Sequence, residues 1–162
     1  MKLCLYIMVK LSIKLSDLDK EIITRIYENE MIPLSLLLIE MPEYHRMEIW
    51  RRIRFMKRAG IIENIDGMYK ISDKIDISKI SNEIEISIDM LKLDDTHIDI
   101  LKLLKERNKQ VKFAFIKYKI NKGFWKVFHS IDDLIFLGFI RRRSKGIYEI
   151  TDDGKKILEK IT

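Results

Sequence analysis

Apolar and polar positions along the chain follow two periods, and each period predicts a different element. Residues 11–15 alternate one by one, which predicts a strand. Ser16 or Asp17 suits the N-cap of a helix that follows directly. Ile22 and Ile26 lie four residues apart and therefore share one face of that helix. The first regular unit is therefore expected to begin with a strand and a helix.

Two further helices and a hairpin are predicted to follow. Proline suits the first turn of a helix, glycine suits the position just after its end, and Asp-Gly is a common hairpin turn. These preferences predict a helix opened by Pro33 that runs to Met41, a helix from Pro42 to Gly60, and strands at 61–63 and 68–71 around Asp66-Gly67.

The whole pattern recurs 78 residues later. With that offset, Ile22 aligns with Ile100 and Gly60 aligns with Gly138, and the apolar positions between them match without a gap. Such a long ungapped match indicates that the chain is duplicated. The second copy predicts helices at 95–107, 112–120 and 122–137, a hairpin with strands 139–143 and 147–151, and a last helix at 152–160.

The segment between the two copies carries both periods. Ile77 and Ile80 have helical spacing, whereas Ile84 and Ile86 belong to a strand-like alternation. The pattern leaves open whether this linker is a helix or a strand. A strand here is expected to pair with residues 9–15, which would join the two copies or two subunits.

The order of strand, three helices and hairpin resembles the winged-helix family. Residues 56–62 and 134–140 are similar to the junction between its recognition helix and its wing, and residues 148–154 resemble the passage to a last helix in archaeal and bacterial regulators. The resemblance implies an α+β, mainly helical fold with two winged helix-turn-helix domains in tandem, each with three helices and a two-stranded wing. The implied domains are an N-terminal arm at 1–10, a first domain at 11–72, a linker at 73–89 and a second domain at 90–162.

The formal net charge of +6 is concentrated in the second copy. Residues 94–162 contain sixteen basic and ten acidic residues, whereas residues 16–72 contain nine and ten. Three consecutive arginines, 141–143, lie at the predicted wing. A basic helix beside a basic hairpin suits duplex DNA, because phosphates lie on both sides of the groove that the helix enters.

Candidate DNA contacts follow from this placement of charge. If Ile49 and Ile53 face inward, a step of 100° per residue places Arg51, Arg54 and Arg58 outward. The alternative is that these charges only solvate a helix face. The candidate DNA-binding residues are Tyr44, Arg46, Arg51, Arg54, Arg58, Lys117, Lys119, Lys122, Lys126, Arg141, Arg142, Arg143 and Lys145.

Two sets of side chains have competing interpretations. Trp125 could stack or fill an interface, but an aromatic residue at helical spacing is more often a core residue, and we prefer that assignment. The acid pairs Asp94-Asp95, Asp132-Asp133 and Asp152-Asp153 are interpreted as carboxylates that cap helices or lie in surface turns.

The sequence carries no recognisable catalytic or cofactor-binding motif. His45, His97 and His129 are far apart, the single cysteine, Cys4, is interpreted as a buried hydrophobe, and no phosphate-binding loop or nucleophile elbow is present. No apolar run is long enough to cross a bilayer. We therefore expect a cytoplasmic protein that is not an enzyme, uses no cofactor or metal ion and has no membrane partner. Its isoleucine, lysine and charge content are typical of a thermophilic source or an AT-rich genome.

The expected function is sequence-specific binding of double-stranded DNA by a transcriptional regulator, with helix 3 of each copy in a major groove. One alternative is a plasmid or viral replication initiator. Another is a protein-interaction adaptor whose near-neutral first copy docks a partner through Phe55 or Met47. A partner in the transcription machinery and a homodimer interface through Met1–Leu15 or the linker also remain open.

Overall fold

A computed structural model describes residues 10–80, 83–87 and 93–162. These residues form two compact units, an N-terminal unit of residues 10–80 and 83–87 and a C-terminal unit of residues 93–162. The described part of the chain is α+β, with seven α-helices and small antiparallel sheets. The predictions for Cys4 and for most of the N-terminal arm lie outside the described residues.

The N-terminal unit packs three helices on a small sheet in the order β2-β4-β3. Ile22, Ile26 and Ile49 have no exposed surface and form its core, as their helical spacing predicts. Its elements are β1 (Lys10–Lys14), α1 (Asp17–Glu28), β2 (Ile32–Pro33), α2 (Leu34–Glu40), α3 (Arg46–Arg58), β3 (Ile62–Ile65), β4 (Met68–Ile71), a 3-10 helix (Ile77–Lys79) and β5 (Glu83–Ser87).

The linker contains both a helical turn and a strand, in different segments. The helical spacing corresponds to the 3-10 helix, and the alternation corresponds to β5. β5 pairs antiparallel with β1, with buried Ile84 opposite buried Ile13. The strand interpretation of residues 83–87 and their pairing with the first strand are therefore confirmed.

The C-terminal unit has the same order of elements from its first helix to its hairpin, after which it ends in a helix. Leu104, Ile116 and Leu134 are wholly buried and join its three main helices in one core. Its hairpin forms a sheet in the order β6-β8-β7. The elements are α4 (Asp95–Arg107), β6 (Val111–Lys112), α5 (Phe113–Ile120), α6 (Phe124–Phe136), β7 (Ile140–Ser144), β8 (Ile147–Ile150) and α7 (Asp152–Ile161).

The third helix of each unit starts later than predicted. α3 begins at Arg46, four residues after Pro42, because the Nδ1 atom of His45 accepts a hydrogen bond from the Met47 N–H at 3.2 Å and caps the helix there. α6 begins at Phe124, since Asn121 has a left-handed backbone (φ 50°) that interrupts helical geometry.

Three side-chain assignments from the sequence are wrong. Phe55 is 2% exposed, so it belongs to the core and cannot dock a partner. Trp125 is 65% exposed, so it is not a core residue. Asp132 and Asp133 lie inside α6 and are buried, so they are neither helix caps nor residues of a surface turn. In each case the neighbouring helices decide which face is covered, and helical spacing does not contain that information.

Candidate nucleic-acid interface

The segment that leads into α6 carries positive charge without any compensating carboxylate in its own sequence. Residues 107–131 include seven lysines and arginines and no aspartate or glutamate. Within them, Lys119 and Lys122 are exposed and Lys117 is half-buried. In the part of the chain that the structure describes, no carboxylate pairs with these three lysines. They are therefore available to bind an anionic partner.

The three arginines of the β7–β8 hairpin do not act as one group. Arg141 and Arg143 both bind Glu149, the second at 2.7 Å. The hydrogen bond from Arg143, supplemented by that from Arg141, lowers the pKa of Glu149 below its ordinary value. Arg142 lies opposite Tyr148, on the other face of the ribbon, and its Nε donates to the Ser144 carbonyl at 3.3 Å. The outward charge of the hairpin is thus reduced by one carboxylate.

The hairpin turn and the start of α6 belong to one continuous surface. The Phe113 N–H, at the start of α5, donates to the Gly146 carbonyl in the hairpin turn at 2.8 Å. The ring of Phe113 lies 5.3 Å from that of Phe124, the first residue of α6. Exposed Lys145 lies in this turn, next to Gly146, and the turn is joined to α6 through Phe113. The two basic elements that a winged helix would present to DNA are brought together in this unit.

An aromatic cluster lies between these basic elements, and we define it as Phe113, Phe124, Trp125 and Phe128. Neighbouring ring centroids are 5.2–6.4 Å apart. Phe124 is 49% exposed and Trp125 is 65% exposed. Of these residues the sequence analysis considered only Trp125, and it did not predict that the four rings meet. The sequence feature that marks this segment is the absence of aspartate and glutamate from residues 107–131.

Lys126 is engaged inside the C-terminal unit. Its ammonium binds the Asp94 carboxylate at the N-cap of α4. Asp94 Oδ1 also lies 2.8 Å from His97 Nδ1. Partial burial opposes ionisation, but the hydrogen bonds from Lys126 and His97 hold the pKa of Asp94 well below its usual range. Of the candidate lysines, Lys126 is therefore the one that already forms an ion pair with a carboxylate.

Asp94 is expected to make the stability of the protein sensitive to acid. Because its pKa is lower in the folded chain, its ion pairs stabilise the fold above the ordinary carboxyl pKa of about 4, and this contribution is lost as the pH falls below that value. Thermal unfolding of Asp94→Asn between neutral pH and about pH 3 tests this. The deficit of the variant relative to wild type should shrink with falling pH. The exposed Asp99→Asn is the control, and a pH-independent deficit for Asp94→Asn would contradict the assignment.

The candidate arginines of α3 differ in exposure. Arg46 is exposed at the start of the helix, whereas Arg51, Arg54 and Arg58 are half-buried. Arg52, which was not a candidate, binds the first turn of α1. Its Nε donates to Asp19 Oδ1 at 2.6 Å, and its Nη2 donates to Ser16 Oγ at 2.8 Å.

Carboxylates surround the start of α3. Desolvation, followed by the charges of Glu43, Glu21, Asp17 and Glu48, raises the pKa of Tyr44 above its ordinary value. Tyr44, a candidate contact, is half-buried just before the helix. Negative charge at this position repels phosphate, so the two units differ where a third helix would approach DNA.

The buried carboxylate of Asp133 binds a buried histidine. His97 is wholly buried, and its Nε2 lies 3.2 Å from Asp133 Oδ2 while its Nδ1 faces Asp94. The Asp94–His97–Asp133 network ties the first turn of α4 to the middle of α6. It holds the third helix in place, as Arg52 and Asp19 do in the other unit.

Among the described residues, no group of three or more histidine, cysteine or acidic side chains is placed to hold a metal ion. No helix found there is both long and apolar enough to span a membrane. Comparison of the chain with protein-family models, curated proteins and solved structures finds no match.

Proposed function

We propose that the protein is a sequence-specific double-stranded DNA-binding protein that regulates transcription, and that each unit is a winged-helix module. The order helix, short strand, helix, helix and hairpin in both units supports the modular part of this proposal. The observation that carries the DNA-binding part is the continuous basic surface of the C-terminal unit. There Phe113 of α5 joins the β7–β8 hairpin, as the wing, to the first turn of α6, as the recognition helix.

The spacing of charge on this surface suits a DNA duplex. Exposed Lys119 and Lys122 precede the first residue of α6, and exposed Arg142 and Lys145 lie on the hairpin. A recognition helix that enters a groove meets a phosphate backbone on each side, and basic side chains on both sides can bind the two strands. α6 also has no side-chain cap at its N-terminus, so its first N–H groups add to the positive potential.

The N-terminal unit is assigned a smaller share of the binding energy. Arg46 offers an exposed guanidinium at the start of α3, which suits bidentate contacts with guanine or phosphate. The carboxylates around Tyr44 oppose close approach to a backbone. We propose that this unit contributes selectivity, whereas the C-terminal unit contributes most of the affinity.

Removal of two hairpin charges should weaken duplex binding and lower its salt dependence. Each phosphate that a basic side chain no longer neutralises reduces the slope of log K against log salt by about 0.9, so Arg142→Ala with Lys145→Ala should reduce it by about 2. Fluorescence anisotropy with a labelled duplex at about 50 and 200 mM salt measures both quantities.

The control for this variant removes the same charge from α7. Lys156 and Lys160 are exposed on that helix, and Lys156→Ala with Lys160→Ala should leave the slope unchanged. An equal change in both double variants would mean that only net charge matters, and the hairpin would then lose its assignment as a wing.

Sequence specificity is tested by selecting bound duplexes from a random DNA pool. Two modules on one chain are expected to enrich a motif with two related half-sites, whose separation reports the spacing of the recognition helices. Retention of duplexes without enrichment would contradict the regulator proposal while leaving DNA binding in place.

A second candidate function, protein docking, is favoured by exposed apolar residues on α2 and α3. Ile39 is 69% exposed and Met47 is 55% exposed, and Leu36 and Trp50 are also partly exposed. Apolar groups of this kind suit a protein surface better than a phosphate backbone. If the full chain retains no duplex at low salt, this adaptor role becomes the better proposal.

A further inference from the structure

The exposed rings of the aromatic cluster are not explained by binding to an intact duplex. Phe124 and Trp125 are about half and two-thirds exposed, although large aromatic side chains normally bury most of their apolar surface. In a duplex, the flat faces of the bases are stacked, and the grooves present only base edges. The benzene ring of Phe124 has no hydrogen-bond donor, so the base-edge contact open to it in a groove is with a thymine methyl group.

We propose that the aromatic cluster stacks on unpaired bases, so that the C-terminal unit also binds single-stranded DNA. This inference rests on the proposed function, since it uses the same basic surface. Flat base faces become accessible where a strand is single or locally opened, and aromatic side chains then stack on them with little regard to sequence.

The exposed rings pack against neighbouring rings that orient them. Phe124 packs edge-on against Phe113 at 5.3 Å and nearly parallel to Phe128 at 6.0 Å, with an angle of 10°. The indole of Trp125 lies nearly parallel to the His129 ring at 5.8 Å. Because neighbours already orient these rings, stacking costs little conformational entropy.

The charge around the cluster complements a single strand. Exposed Lys119 lies in the last turn of α5 and exposed Lys122 lies in the turn directly before Phe124, both within the acid-free segment. Each nucleotide of a single strand presents one phosphate next to one base. A surface that places lysines beside flat rings can therefore bind both parts of the same nucleotide.

The N-terminal unit lacks this arrangement although it is the other copy of the repeat. At the offset of 78 residues, Phe124 and Trp125 correspond to Arg46 and Met47, and Phe113 corresponds to Ser35. Phe128 corresponds to Trp50, so three of the four positions that form the cluster are not aromatic in the N-terminal copy. Single-strand binding is assigned to the C-terminal unit alone.

The test compares the affinity of the full chain for single-stranded and duplex DNA. The probes are a labelled oligothymidine of about 20 nucleotides and a duplex of the same length, at about 200 mM salt. Trp125→Ala should lower the ratio of single-strand affinity to duplex affinity by about tenfold or more. Tyr27→Ala, which removes a 60% exposed aromatic from α1, should leave the ratio unchanged.

The outcomes separate this inference from the proposed function. An unchanged ratio in Trp125→Ala, or a wild-type chain that binds duplex and not oligothymidine, overturns the inference and leaves duplex binding intact. Loss of both interactions in the wild-type chain overturns the proposed function as well.

A second measurement keeps the Trp125 side chain in place. The chain has two tryptophans, so Trp50→Phe leaves Trp125 as the single tryptophan. Oligothymidine should quench its emission, whereas an abasic deoxyribose-phosphate oligomer of equal charge should not. Equal emission with saturating oligothymidine and with the abasic oligomer would overturn stacking on Trp125.

Discussion

Gly154→Ala is expected to destabilise the C-terminal unit by about 3 kcal/mol or more. A Cβ at position 154 would lie 2.0 Å from the carbonyl oxygen of Phe139 and 2.9 Å from Cγ1 of Ile150. The first contact is with backbone, which cannot rotate away as a side chain can. α7 would have to move away from Phe139 and Ile150, and its buried residues Ile157 and Leu158 would move with it.

Gly123→Ala provides the matched control for this prediction. Gly123 has a negative φ of −53°, and a Cβ there would meet no atom within 4 Å. The substitution should change stability by less than about 1 kcal/mol, because it only restricts the unfolded chain. Denaturant unfolding followed by Trp125 emission in the Trp50→Phe background reports on the C-terminal unit. Equal stability of the two alanine variants would show that α7 does not pack so closely on Phe139.

Asp133→Ala is expected to destabilise the same unit by about 3 kcal/mol. Asp133 is 1% exposed and faces wholly buried His97, so the substitution removes the partner of a ring nitrogen that water cannot reach. An unsatisfied buried polar group costs more than a hydrogen bond at the surface contributes. Asp133→Asn keeps one oxygen as an acceptor and should lose less. Denaturant unfolding of both variants measures the difference.

A double-mutant cycle attributes this loss to the histidine. If Asp133 acts through His97, the cost of Asp133→Ala should be smaller in a His97→Ala background, with a coupling energy above about 0.5 kcal/mol. Strictly additive losses would mean that Asp133 stabilises α6 through other contacts.

In both copies polar side chains join the third helix to the first helix, but the side chains differ. In each, the third helix contacts the first turn of the unit's first helix, through Arg52 and Asp19 in one copy and through Asp133 and His97 in the other. Asp19 and His97 correspond at the repeat offset, but their partners do not. The sequence repeat predicted that the helices would pack together and did not predict which side chains would join them.

Secondary structure was largely predictable because it depends on local patterns. Helical spacing of apolar residues placed α1 and α4, and the Asp66-Gly67 turn placed the first hairpin. The starts of α3 and α6 were predicted too early. The cap at His45 and the left-handed backbone of Asn121 set the first helical residues instead.

The composition of the candidate interface was also predictable. Lys119, Lys122, Arg142 and Lys145 are exposed as the charge pattern suggested. Which cations remain available was not predictable. Arg141 and Arg143 share Glu149. Lys126 binds Asp94, which lies 32 positions away in the sequence.

The sequence by itself determined the duplication, the order of elements and the basic character of the second copy, because these features depend on local residue spacing and composition. Only the tertiary structure decided that Trp125 is exposed, that Asp133 is buried against His97, and that the hairpin turn meets the start of α6 through Phe113. These features depend on which helix faces cover one another. Periodicity identifies the faces of a single helix, but the packing of several helices decides which face is buried and which is left to bind a partner.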